Sequence, residues 1–165
     1  MTDPHPAPEV VPRKPERVRE DEIEAAIRVL VRGDRAAAKR FLDYARASRL
    51  DLDQTWVIRN RNGDIEFTAL AAPAAGRTAM IFGTRPESKA DVGVAGDLLA
   101  AVAIGCRERG IDLAQALIDP SDELEEAMFI AGGFRRLAQL DYLERPVPRF
   151  GTIPSPELPA DVGIA

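Results

Sequence analysis

The sequence predicts an α/β protein, α+β in arrangement, with a mixed central sheet flanked by helices. Three observations carry that expectation. Two segments of helical period come first, three β-type segments joined by tight turns follow, and a helix, strand, helix, strand succession ends the domain. An antiparallel meander that passes through a helical crossover to a further strand gives a sheet with both pairing senses, arranged in three layers.

Each element has a local cause. Pro4, Pro6, Pro8, Pro12 and Pro15 at one end, and Pro146, Pro148, Pro154, Pro156 and Pro159 at the other, predict tails over residues 1–17 and 147–165 around a domain at 18–146. In the domain, Ile23, Ile27, Leu30 and Val31 recur at helical spacing and Gly33 supplies a stop. Asp34 can cap a second helix whose apolar face is Ala38, Phe41, Leu42 and Ala45. QTWVIRN reads as a strand, NRNGD as a hairpin turn with Gly63 at its tight position, and IEFTALAA as the partner strand. After the APAAG turn, RTAMIFG is a third strand. The polar loop TRPESKAD leads to a helix from about Val92 to Arg109, stopped at Gly110. IDLAQALID is a mixed strand, Asp119-Pro120-Ser121-Asp122 starts the helix ELEEAMFIA, Gly132-Gly133 ends it, and FRRLAQLDYLER returns as a strand.

Composition narrows the functions. An apolar share of 45% over 165 residues is that of one ordinary globular domain. The net charge of -5 disfavours a nucleic-acid partner, and Arg17 and Arg19 alternate with Glu16, Glu20 and Asp21 as a solvated approach to a helix. No run approaches the roughly 20 apolar residues of a membrane span, and the first residues lack a signal peptide's apolar core, so a cytoplasmic protein without a membrane partner is expected. One cysteine, Cys106, and one histidine, His5, give neither an internal disulfide nor a His/Cys metal cluster, so no metal is expected. Cys106 is expected to be a buried, inert thiol.

The stretch ADVGVAGDLLAAVA leaves two readings open. Glycines at a helix N-terminus let an anion approach free N–H groups, and glycines on a helix also let it pack closely. The order of elements, together with ADVGVAGDLLAAVAIGCRERGIDLAQALIDPSDELEEAMFIAGGF, resembles the GNAT superfamily of N-acetyltransferases over roughly Thr55 to Arg145. The resemblance implies a GNAT-like acyl-CoA N-acyltransferase fold, acetyl-CoA or another acyl-CoA as cosubstrate, and an amine acceptor, small molecule or protein. The superfamily's leading strand is either missing or near Val10 to Val18.

Residue by residue, the superfamily's phrase Gln/Arg-x-x-Gly-x-Gly/Ala falls on Ala90, Gly93 and Ala95, with alanine in place of the Gln or Arg. The resemblance therefore assigns the pyrophosphate to Gly93, Val94, Ala95 and Gly96, with Lys89 close enough to add a charge-assisted contact. Asp91 is either a helix cap or a charge that repels the anion. In the strand before the loop, Phe82, Gly83 and Thr84 would hold the pantetheine arm and thioester through their backbone. Asp122 falls where relatives carry an asparagine on the cofactor arm, and capping explains it equally. Phe129 falls on the tyrosine that many relatives use as the acid; lacking a proton to give, it is core or a wall of the CoA channel. Glu66 and Asp119 are the candidate bases, and Tyr142 is an alternative proton donor. Two functions follow, an N-acyltransferase and a non-catalytic acyl-CoA-sensing or protein-interaction module whose tails reach a partner; a homodimer is compatible with either.

Overall fold

Charged residues in extended conformation start the sheet. The computed structural model describes residues 13–140, and in it β1 (Glu16–Arg17) runs antiparallel to β2 (Thr55–Arg59), with Glu16 opposite Val57 and Arg17 opposite Trp56. The leading strand thus exists, and it occupies the last two positions of the expected tail. Arg59 holds it there: its Nε donates to Glu16 at 2.6 Å, while Nη2 and Nη1 donate to the two oxygens of Glu22 at 2.8 and 3.1 Å. This cluster ties β1 and β2 to the residue just before α1 (Ile23–Leu30).

The Arg59 hydrogen bonds hold the Glu22 carboxyl below its ordinary range, and the Ala37 N–H does the same for Asp34. Both depressed groups favour folding while ionised, so their contribution is complete above the ordinary carboxylate range of about 4 and is lost as pH falls through the lower folded values. Urea midpoints measured against pH are expected to drop on the acid side, and less steeply for Glu22→Gln. A variant slope equal to the parent's would contradict the assignment to Glu22.

Positive φ at Gly33 ends α1, and Asp34 caps α2 (Arg35–Ala47) by accepting the Ala37 N–H at 2.9 Å. Ile27 and Ala38 meet Leu70 on one face of the sheet. The next residues alternate: Ala69 and Ala71 join the other core, beneath α3 (Lys89–Glu108) and α4 (Glu123–Ala131). Strands β2, β3 (Ile65–Ala74) and β4 (Thr78–Gly83) form the expected meander, and β5 (Leu113–Gln115) joins β4 in parallel, giving the order β1-β2-β3-β4-β5.

Three expectations change. First, α3 begins at Lys89 rather than near Val92, because Ser88 is extended and the Asp91 carboxylate turns back to accept the Ser88 N–H at 3.0 Å and hydroxyl at 2.8 Å. Second, β5 covers only three residues of IDLAQALID. Third, Phe134–Leu140 lack regular structure, so the strand expected at FRRLAQLDYLER does not form over its described part. The remainder of that segment, Tyr142 with it, lies outside the described residues, as do His5 and most of both Pro-rich ends.

The small residues of α3 also find a use. A Cβ on Gly96 would stand 2.7 Å from Ala131 Cβ, and one on Gly132 would stand 2.7 Å from Leu99 Cβ. The two helices therefore approach through reciprocal notches, which only glycine permits at this distance.

Candidate functional site

A gap opens where the parallel strands part. The last pair between β4 and β5 is Met80 with Gln115, yet β4 continues to Gly83. The Arg77 carbonyl accepts the Asp112 N–H at 2.8 Å, so it points to the β5 side, and alternation along the strand gives Gly83 the same direction. Thr84 faces the other way, its N–H donating to the Thr68 carbonyl at 2.8 Å and its hydroxyl accepting the Thr68 N–H at 3.0 Å. Phe82 shares that direction by the same alternation. Of the three residues assigned to the thioester, only Gly83 thus turns its backbone to the gap; those of Phe82 and Thr84 face β3.

The expected phosphate loop is wound into helix. Gly93, Val94, Ala95 and Gly96 all lie inside α3, where their N–H groups belong to the helical ladder. Ala95 and Gly96 are buried, and Val94 packs against the core. The backbone donors that a helix start leaves over are instead those of its first turn, at Lys89 and Ala90, beside the exposed Lys89 ammonium. Asp91 is not the cap residue itself; Ser88 is, and Asp91 closes back on it. Gly93 has open space where a Cβ would be, so packing does not demand glycine there.

Across the gap stands the start of α4. Asp122 caps it, accepting the Glu125 N–H at 2.9 Å. Arg85, from the loop between β4 and α3, reaches over with Nη2 at 2.9 Å from Asp122 and 3.0 Å from Glu125, so that loop and helix are tied together. Its proximity to these carboxylates, Glu125 first, raises the guanidinium's already high pKa. Sequence reasoning passed over Arg85, a single arginine before a proline with no spacing to mark it. Asp119 accepts the Ser121 hydroxyl at 2.6 Å and its N–H at 2.9 Å, which lowers its pKa and makes it a weaker base. Phe129 is 5% exposed and meets Phe134 edge to face at 5.2 Å, as core. Cys106 is buried and burial pushes its thiol up.

A larger cavity of about 820 Å³ lies between α1, the β2–β3 hairpin and the loop that follows β4. Thr84 and Arg85 line it, so it adjoins the end of β4 where the gap opens. Glu66 stands on its wall for a geometric reason: Ile58 pairs with Phe67 and Arg59 with Ile65, leaving Glu66 as the extra residue of a β-bulge. One carboxylate oxygen accepts from Arg13 at 3.0 Å, while the other is buried without a partner among the described residues. Arg28 and Arg32 line the same cavity from α1 and the turn after it.

Among the described residues no group of His, Cys, Asp and Glu is placed to hold a metal ion, and no helix is long and apolar enough to cross a membrane.

No protein-family model matches the sequence, and no curated protein matches it. Solved structures do match the fold. A predicted acetyltransferase from Clostridium acetobutylicum, solved with acetyl-CoA, superposes with a TM-score of 0.55 at 18% identity over 79% of this chain and 95% of that one. An aminoglycoside N-acetyltransferase in complex with CoA gives 0.54 at 18% identity over 81% and 100%. A ribosomal-protein-alanine N-acetyltransferase from Brucella melitensis gives 0.55 at 15% identity over 75% and 85%. At these identities the likeness is one of fold, and the fold, a mixed five-stranded sheet between two pairs of helices with its parallel strands parted, is that of the GNAT acetyltransferases.

Proposed function

We propose that the chain is an N-acyltransferase that takes its acyl group from acetyl-CoA or another acyl-CoA. The observation that carries this reading is the parting of β4 from β5 after Met80 and Gln115, with the backbone of Gly83 turned into the gap. Its N–H is the natural donor to a thioester carbonyl, and the start of α3, with Lys89 at its first position, is a cationic helix start suited to a diphosphate. The amine nitrogen attacks the thioester carbon, the C–S bond breaks, and the CoA thiolate leaves. Glu66 receives the proton that the acceptor ammonium must lose first. The thiolate takes up the second proton, the one the nitrogen sheds as the amide forms, by way of solvent, since Phe129 has none to give. Holding the two reactants together contributes several kcal/mol by orientation alone.

Calorimetric titration with acetyl-CoA is expected to show a one-site isotherm with Kd of about 10–100 µM. No heat up to roughly millimolar ligand ends the reading. Given binding, thiol release over a panel of amines is expected, and Glu66→Gln should lower kcat by about 100-fold or more. An acyl-CoA-sensing or protein-interaction module is the second reading, favoured by the Ser88–Asp91 closure of α3, which takes the phosphate loop out of loop conformation. Binding of acetyl-CoA without thiol release from any amine selects it.

A further inference from the structure

The sheet ends on β5, and among the described residues no strand lies along its outer edge. Thr78 pairs with Leu113 and Met80 with Gln115, and the Leu113 N–H reaches the Arg77 carbonyl, so the backbone groups of Leu113 and Gln115 are committed to β4. By alternation, the N–H and C=O of Ala114 face outward. The side chains carry the same alternation past the strand: Ala114, Ala116 and Ile118 pack on the core shared with α3 and α4, whereas Leu113 and Leu117 are 45% and 62% exposed on the opposite face. Ala116 therefore repeats the outward direction of Ala114. Phe82 pairs with Leu70, which packs against Ile27, so it lies on that same opposite face, where it is 42% exposed. An unpaired edge flanked by three exposed large apolar side chains is a surface that a further strand completes.

The course of the chain after α4 indicates what lies there. The Phe134 N–H donates to the Phe129 carbonyl, and Arg136 reaches Glu126 with Nε at 3.2 Å and Nη2 at 2.6 Å, so residues 134–136 retrace α4 towards its start. That start, at Glu123, follows closely on Ile118. The chain beyond Leu140 thus sets out from the end of β5, and a segment that descends from there along β5 runs antiparallel to it. We propose that residues 142–150 of the chain itself form this edge strand. Pro146 and Pro148 fix which side of it meets β5, because a proline has no N–H and is accepted in an edge strand only where its nitrogen points away from the neighbour. Residues two apart point alike, so Arg145, Val147 and Arg149 turn their N–H and C=O towards Ala114 and Ala116. Opposite residues share a face. The two arginines then stand on the α4 side, where the first turn of that helix is acidic and its Glu123 forms no ion pair among the described residues. Tyr142, Glu144, Pro146, Pro148 and Phe150 fall on the other face, which brings four apolar rings to Leu113 and Leu117. Because β5 is one wall of the gap beside Gly83, a second neighbour for β5 also holds the width of that gap.

The test is amide hydrogen exchange on the full chain, followed residue by residue by NMR, with two proline substitutions that differ in which way the nitrogen points. In the parent, the Ala114 and Ala116 amides are expected to exchange about 100-fold or more slowly than in an unstructured peptide, with cross-strand nuclear Overhauser contacts to residues 145–149. Val147→Pro removes a donor that faces β5 and should accelerate both amides by about tenfold or more. Glu144→Pro, whose nitrogen points away, should leave them within about twofold of the parent. Amides in the middle of β3 report on the whole domain and should keep their parental rates in both variants. The Overhauser contacts are read on the parent alone, so they decide the matter even if Val147→Pro loosens every element. Exchange of Ala114 and Ala116 at unstructured rates in the parent, absence of the contacts to 145–149, or equal acceleration by the two substitutions each overturn the proposal. Protection that grows with chain concentration, alongside a dimer by light scattering, assigns the edge to a second copy and overturns it too.

Discussion

Gly96→Val is expected to lower the unfolding free energy by about 3 kcal/mol, the upper part of the range for forcing volume into a packed contact. The first atom added already stands 2.7 Å from Ala131 Cβ and 3.0 Å from the Ala131 backbone carbon, so what has to move is the α4 main chain and not the tip of a flexible side chain. Glycine is also the poorest helix former after proline, so replacing it would return up to about 1 kcal/mol if nothing else changed. Gly93→Ala provides that comparison within the same helix, because a Cβ there meets nothing within 4 Å. Urea unfolding should therefore show Gly93→Ala at or above the parent and Gly96→Val far below it. Equal shifts at the two positions would mean that the contact between α3 and α4 is not what demands glycine.

Ile27→Ala is expected to cost about 2–4 kcal/mol, the range for truncating a buried branched side chain. Ile27 is fully buried, and α1 has only eight residues, too few to hold together without packing. Ala26 and Ile27 are the buried residues of that helix, so removing the larger of them loosens the wall that presents Arg28 to the cavity. Amide hydrogen exchange should accelerate in α1 ahead of β3 and α3. Uniform acceleration over all elements would show instead that α1 opens only with the whole domain.

Much of this architecture was legible because each signal was local. Asp34 at a helix start, Gly63 in a hairpin turn and Gly33 after an apolar helix act within a few residues of themselves, and the elements beside them fall where expected. β1 was hidden because two charged residues have no period; pairing with β2 and the Arg59 cluster makes them a strand. The start of α3 was misplaced because Gly93 and Ala95 resemble a loop phrase, whereas Ser88 and Asp91 close the helix ahead of them. At the site, Glu66 could be named as a carboxylate in a strand. The bulge that sets it apart is a property of register against β2, which one strand's sequence does not carry. Arg85 was invisible for a related reason: its partners on α4 lie some forty residues ahead in the chain.

The tie between Arg85 and the start of α4 makes the mouth of the gap an ion-exchange site. A diphosphate that draws this guanidinium to itself leaves Asp122 and Glu125 without their counter-ion, next to Asp119 and Glu123. Those carboxylates then recover charge balance by attracting a cation from the solution. A polyanion that binds at this mouth by drawing Arg85 away therefore brings a second, oppositely charged species with it, and its apparent affinity should depend on which cation the solution holds.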